Sequence, residues 1–577
     1  MKHTHYLLTL LLGATCASVA AQQKSDLSRS VTVERDFQPT IQHDGKLPVN
    51  PVRLEEDIPA AQVQYSDNAT PLQTSFNLYP MGAVETKFST PSAPDGTLEG
   101  AAGYCGTYLD FMYRVRDKKS ITMDLYAKHD ARWGRRTWSD SRLGMRFNKQ
   151  FSACTLYFGL EGTNTFYTRY GHYFEGDGRL SVRNLDEMMP ADKQNRWGAG
   201  AHIGVRSAQD NTFQYQIQAG YDAYILPSAV AEHHVRTQIN FAWLGEKHHA
   251  GARISVHNAF LSLDSLKQTI ADTLYNARHG IRFEPYYEYI GNKIRLHAGV
   301  NIDLNVGKGQ MMSGSRNISF APSPNVTFEY RILPSWLILY AEAQGRFALG
   351  TLQDYYNANP YLGTYTGIVS HHVSGYTPVD AALGFKIKPV DCLLLDIHAR
   401  YAYRKNQQVT IAPDIETLVD NPLTDLDYFY SDWQQWTVGA EITYHYQDII
   451  HILLNGHFHK WIQENIEGDM HPTIEYSTTA VYDRPAWDAR LRVDANINSK
   501  WSLYSDNIFG GSRTALTYTG EQTLKPTIDL RLGVRYNINR WLGCYLQANN
   551  LLNRYNDLYY GYQTQGIQVM AGVKWKF

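Results

Sequence analysis

The chain has 577 residues, 43% of them hydrophobic, and a formal net charge of -2 from 54 Lys and Arg against 56 Asp and Glu. So balanced a charge excludes the basic footprint of a nucleic-acid partner. No GxSxG elbow, HExxH helix, P-loop or Gly-rich dinucleotide turn occurs, so neither an enzyme nor a cofactor-binding protein is expected.

Residues 1–21 open with Lys2 and His3, continue with an apolar run over 6–12 and end in small residues through Ala21, the order of a secretory signal peptide. Cys16 follows Ala14-Thr15, and lipidation there is the weaker reading, because a residue smaller than Thr usually precedes a lipidated Cys. Residues 22–96 are polar and punctuated by Pro39, Pro48, Pro51, Pro59, Pro71 and Pro80, which predicts an extended periplasmic segment.

Residues 97–577 read as one domain of strands. In 294–306, Ile294, Leu296, Ala298, Val300, Ile302 and Leu304 alternate with Arg295, His297, Gly299, Asn301, Asp303 and Asn305. This period of two marks a strand whose faces meet different media. Residues 213–222 and 528–538 repeat the pattern. In 487–498, Trp487, Ala489, Leu491 and Val493 oppose Asp488, Arg490, Arg492 and Asp494, a charged row that must face water. The apolar row is then left for lipid. The expected fold is an all-β transmembrane antiparallel β-barrel with a wet lumen, set in the outer membrane and in contact with its lipid. The 41 Tyr and 12 Trp suit its two aromatic girdles.

Short polar turns near 116–119, 148–149, 207–210, 245–247, 291–292, 333–335, 389–391, 447–448, 498–500 and 539–540 alternate with long stretches near 164–194, 260–277, 307–316, 350–374, 406–430, 463–483 and 510–525. With a strand over 98–104, a tight outer turn at Cys105-Gly106 and a return over 108–115, the count is about 22 strands, with short periplasmic turns and long extracellular loops. Cys105, Cys154, Cys392 and Cys544 are far apart and without metal spacing, so they read as isolated thiols.

The lumen phase carries the candidate site residues. Arg490, Arg492, Arg531 and Arg535, with Asp488, Asp494 and Asp529, read as charge ladders that pair across strands; contact with a passing solute is the second reading. His457 and His459 share the polar face of 449–462, and a His-x-His pair can chelate a metal. Ordinary lumen-lining imidazoles are the simpler reading, since no carboxylate or Cys completes a set along the chain, and no metal is expected. The pairs 233–234, 248–249 and 371–372 put neighbouring His on opposite faces. Asp414, Glu416, Asp420, Asp425, Asp427 and Asp432 make one loop acidic, a calcium site or, more simply, a solvated loop.

The closing stretch Ala548-Asn-Asn-Leu-Leu-Asn-Arg-Tyr555, then Tyr559-Tyr-Gly-Tyr562, Gly566 and Val573-Lys-Trp-Lys-Phe577, resembles the last two strands of TonB-dependent receptors. Val31-Thr-Val-Glu-Arg-Asp-Phe-Gln-Pro-Thr40, Gly100-Ala-Ala-Gly-Tyr-Cys105 and Asn359-Pro-Tyr361 resemble the TonB-dependent receptor-like barrels of Bacteroidota, Gram-negative bacteria. The resemblance implies an outer-membrane transport or receptor protein that passes or binds a solute, porin-like if passage is passive. It also implies that the barrel-assembly machinery reads the terminal aromatic, Phe577. Receptors of that family carry a plug domain longer than residues 22–96, so a standard plug is not expected here, and either loops fold inward, a partner fills the wide lumen, or solutes pass by diffusion. Val31-Thr-Val33 is the nearest stretch to a TonB contact. A periplasmic or surface lipoprotein is the expected partner, and the alternative function is a structural or assembly barrel that anchors such a partner without transport.

Overall fold

The computed structural model describes residues 95–577 except 117–119, 135, 170–191, 209–210, 227–229, 264–276, 308–319, 334–335, 363–373, 414–425, 448 and 465–480. The expected signal peptide, the Pro-rich segment through residue 94, Val31-Thr-Val33, His371, His372 and the acidic residues Asp414, Glu416, Asp420 and Asp425 lie outside the described residues.

The described residues form 26 strands, β1 to β26 in chain order, and one helix, α1 (Leu352–Ala358). From β1 (Gly96–Tyr104) and β2 (Gly106–Arg116) through β19 (Trp501–Gly510), each strand pairs antiparallel with the next. The wall then runs from β19 to β22 (Thr527–Asn537), β23 (Leu542–Asn549) and β26 (Gln568–Lys576), and β26 pairs with β1. The result is a closed 22-strand antiparallel barrel. Closure leaves no open sheet edge, the condition for a sheet to survive in lipid.

Its seam rests on the chain end. The Gly96 N–H donates to the Phe577 carbonyl at 2.8 Å, and the Phe577 N–H donates back at 2.9 Å. The Phe577 ring lies 5.9 Å from Tyr113 and 4.7 Å from Trp575, centroid to centroid. A Cβ at residue 96 would stand 2.4 Å from that ring, so a larger residue there would displace the Phe577 ring.

The alternation read in the sequence is the inside and outside of this wall. On β11 (Ile294–Gly307), Ile294, Val300 and Leu304 are exposed, as a lipid face is in the absence of lipid, while Asn301 and Asp303 are buried on the lumen side. On β7 (Phe213–Leu226), Phe213, Ile217 and Tyr221 face out and Gln214 is buried. Outward Trp and Tyr gather at both ends: Tyr104, Trp197, Trp436 and Trp487 at the outer end, Trp243, Trp336, Trp501, Trp541 and Trp575 at the other. The short connections fall at the predicted places, but strands run further than expected at several of them. β4 (Trp138–Gln150) continues through Asn148 and Lys149, and β14 (Gly375–Val390) includes Pro389, because ladder pairing overrides local polarity. The outer turn between β1 and β2 is made by Tyr104 and Cys105, between the paired Gly103 and Gly106, with Cys105 at φ 64°.

Candidate functional site

The lumen wall is a lattice of charge pairs. On β18 (Trp487–Asn496), Arg490 binds Asp506 of β19 with both prongs, at 2.8 and 3.1 Å. Arg492 instead takes Asp494, two residues along the same strand, at 2.7 and 3.3 Å. Arg531 does the same with Asp529 on β22, at 2.9 and 2.5 Å. Some pairs therefore run along a strand beside those that cross it, since residues two apart share a face. Arg535, also on the lumen phase of β22, has a buried Nε with no acceptor. The ladder continues through Arg282–Asp303, Arg253–Glu284 and Arg400–Asp380.

His457 and His459 on β17 (Ile450–Glu464) meet the carboxylate that the sequence alone does not reveal. Asp488, from β18, stands 3.1 Å from His457 Nδ1 and 2.6 Å from His459 Nε2, while His459 Nδ1 lies 2.8 Å from the Thr437 hydroxyl. Both imidazoles are thus oriented by hydrogen bonds to one aspartate. Among the described residues no group of three His, Cys, Asp or Glu is placed to hold a metal ion.

The neighbouring histidines 233 and 234 of β8 (Val230–Leu244) do part to opposite faces. His233 lies outside against the Tyr221 hydroxyl at 2.7 Å; His234 is fully buried inside. There His234 Nε2 reaches Glu232 Oε2 at 3.0 Å and its Nδ1 reaches His257 Nε2 of β9 (His248–Leu263) at 2.8 Å. Glu232, also fully buried, accepts from the backbone N–H groups of Leu352 and Gln353, both at 2.9 Å. Those are the first residues of α1, so a wall carboxylate holds the start of a helix whose own free N–H groups need acceptors.

That helix lies in the stretch 350–374, expected to be an irregular outer loop. Gly350, at φ 73°, turns the chain out of β13 (Leu337–Ala348). Thr351 then caps α1, accepting from the Asp354 N–H while Asp354 accepts from the Thr351 N–H. Arg278 donates to the Leu349 and Gly350 carbonyls at 2.9 and 2.8 Å. Arg196 donates to the Pro360 carbonyl at 3.1 Å, with its guanidinium 4.5 Å from the Tyr167 ring centroid and 4.3 Å from that of Tyr356.

Around α1 a tyrosine-rich core forms. Tyr355 meets Tyr428 at 5.0 Å between ring centroids, and Tyr361 meets Tyr562 at 4.9 Å and Tyr167 at 6.0 Å. Tyr167 belongs to β5 (Cys154–Arg169) and Tyr428 to β16 (Asp427–Tyr446). Tyr562 belongs to a small hairpin, β24 (Asp557–Tyr559) and β25 (Tyr562–Gln563), set between β23 and β26. These are separate sectors of a 22-strand wall. One packed cluster joins them only by crossing the bore, so among the described residues the segments 349–362 and 557–563 fold inward as a roof.

A second hairpin, β20 (Arg513–Thr517) and β21 (Gly520–Leu524), reaches across β16 to β19 and pairs parallel with the end of β15 (Leu393–Ala412) through Ile411–Leu516 and Ala412–Thr517. Beneath it Trp433, Tyr482, Phe429 and Leu516 are buried together, with the Arg484 guanidinium 4.9 Å from the Trp433 ring centroid. Burial pushes the nearby Asp483 carboxyl up to about 6, against the opposing pull of Arg513 and Arg484. Of the acidic loop residues, Asp427 accepts from the Tyr518 hydroxyl at 3.3 Å, and Asp432 accepts from the Asn406 N–H at 2.8 Å, joining β16 to β15 where their register shifts.

No protein-family model and no curated protein matches the chain. Solved structures do. The siderophore receptor PirA from Acinetobacter baumannii superposes with a TM-score of 0.60 at 10% identity, over 84% of this chain and 81% of that one. The ferric-catecholate import receptor Fiu from E. coli K12 gives 0.58 at 10%, over 84% and 82%. A copper transporter, OprC, gives 0.58 at 11%, over 84% and 80%. The barrel has the fold of these proteins. A large closed barrel of this kind, with an apolar outer face, implies an outer-membrane protein.

The sequence reading left inward-folding loops open; what it missed is the helical segment that makes the roof. Its signal was Thr351-x-x-Asp354 ahead of Tyr355-Tyr356, a helix start inside a presumed loop. Glu232 and the inward role of His234 left no local signal, because their partners lie far along the chain.

Proposed function

We propose that this protein is an outer-membrane receptor or transport barrel that engages a solute at its outer mouth and passes it along a charged lumen. The observation that carries this reading is the inward-folded roof, a dedicated structure across the bore that a purely structural barrel does not need. Fold likeness to siderophore receptors and a copper transporter supports it. The lumen-facing residues Asp488, Arg490, Arg492, Asp494, Asp529, Arg531 and Arg535 would supply the polar path, with Phe577 read by the barrel-assembly machinery as part of the seam. A TonB contact within residues 22–94 would energise passage, and a periplasmic or surface lipoprotein would be the partner.

The test compares planar-bilayer conductance of the full-length protein with that of a variant in which 351–362 is replaced by a Gly-Ser linker. The replacement is expected to open steps larger than those of the parent. Silence from both, with a second protein co-purifying in stoichiometric amount, would establish the anchoring barrel instead.

A further inference from the structure

At the outer end of the lumen, β3 (Ile121–Arg132), β22, β23 and β26 meet the turn that carries Arg136 and the segment before β26, enclosing a polar cavity of about 40 Å³. That is room for one small head group or a few waters. Its lining holds three guanidinium groups, Arg132, Arg136 and Arg531, and one carboxylate, Asp529, with a second buried carboxylate, Asp130, behind Arg132. Asp529 is already engaged, taking two bonds from Arg531 and one from the Asn550 N–H at 3.2 Å.

Arg132 donates through Nη1 to Gln568 Oε1 at 3.0 Å and lies 3.5 Å from Asp130. This leaves Arg132 Nε and Gln568 Nε2 buried with no acceptor, and Gln568 is only 3% exposed. Buried N–H donors seek acceptors. Guanidinium groups beside orphaned donors are the arrangement that takes an oxyanion, since planar forks and amide N–H groups match two or three oxygens on one centre.

We propose that this cavity binds the anionic head group, carboxylate or phosphate, of a small solute that enters at the outer mouth. The inference rests on the receptor reading for its solute but on the cavity alone for its chemistry.

The experiment is titration calorimetry on the full-length protein in detergent at low ionic strength, with citrate and inorganic phosphate as separate probes and sucrose as the neutral one. Saturable binding of at least one anion is expected, and which of the two binds tells carboxylate from phosphate. Arg132→Gln and Gln568→Met should each weaken it about tenfold, while Lys500→Gln, in a periplasmic turn, should not. Heat-modifiable migration reports whether each variant is folded; should Arg132→Gln fail to fold, the near-isosteric Gln568→Met decides. No saturation by either anion, or equal binding in the variants, would overturn the site. Conductance without anion binding would remove the site and leave the receptor reading, and anion binding by a barrel silent in both forms would do the reverse.

Discussion

The barrel wall and the roof over its outer mouth are built from the same chain by different physics. In the wall each strand is held by ladder bonds to two neighbours, and its side chains are sorted by a period of two between lipid and a lumen of charge pairs. In the roof ladders are confined to two short hairpins. Tyrosines 355, 361, 428 and 562 and the helix α1 pack as the core of a soluble protein does, and Glu232 and Arg278 of the wall clamp the entry to that helix. The wall should therefore unfold as one unit, whereas the roof can loosen while the wall stands.

The largest effect is expected at the seam. Phe577→Asp removes the stacked ring that closes β26 on β1, and folded barrel should be lost from the outer membrane, as read by fractionation and heat-modifiable migration. Normal folded levels would mean that closure does not depend on this ring. Next comes Leu532→Arg, on the lipid face near the middle of β22, at a cost of about 2–4 kcal/mol. A lowered urea midpoint for the whole barrel is the expected reading; an unchanged midpoint would place Leu532 off the lipid.

Glu232→Ala should cost about 1–3 kcal/mol, because the Leu352 and Gln353 N–H groups lose their acceptor. Here the loss should be local. Proteolysis or hydrogen exchange of 349–362 should rise while the urea midpoint holds, and a shift of the whole transition would erase the distinction between roof and wall. The smallest effect is expected from Arg535→Gln, within about 0.5 kcal/mol, as its Nε already lacks an acceptor and the lumen tolerates a neutral polar group. A loss as large as that of Leu532→Arg would show the inside and outside of β22 to be reversed.

The wall was legible because membrane geometry writes itself locally. Asp488, Arg490, Arg492 and Asp494 opposite Trp487, Ala489, Leu491 and Val493 state the two media within a dozen residues, and the polar turns punctuate them. The partners of these charges were less legible. Arg490 crosses to Asp506 while Arg492 and Arg531 stay on their own strands, a choice set by side-chain reach that period two does not distinguish.

By itself, then, the sequence determined the class of fold, the approximate strand number and the two-faced phase of stretches such as 294–306 and 487–498, since all three follow from alternation and chain order. Only the tertiary structure decided that residues 350–362 fold inward, that Asp488 joins His457 to His459, that Glu232 faces a helix 120 residues away, and that Arg132, Arg136 and Arg531 share one cavity. Each of these depends on which distant strands the closed barrel brings side by side. Closure is a property of the whole wall, and no local window of residues carries it.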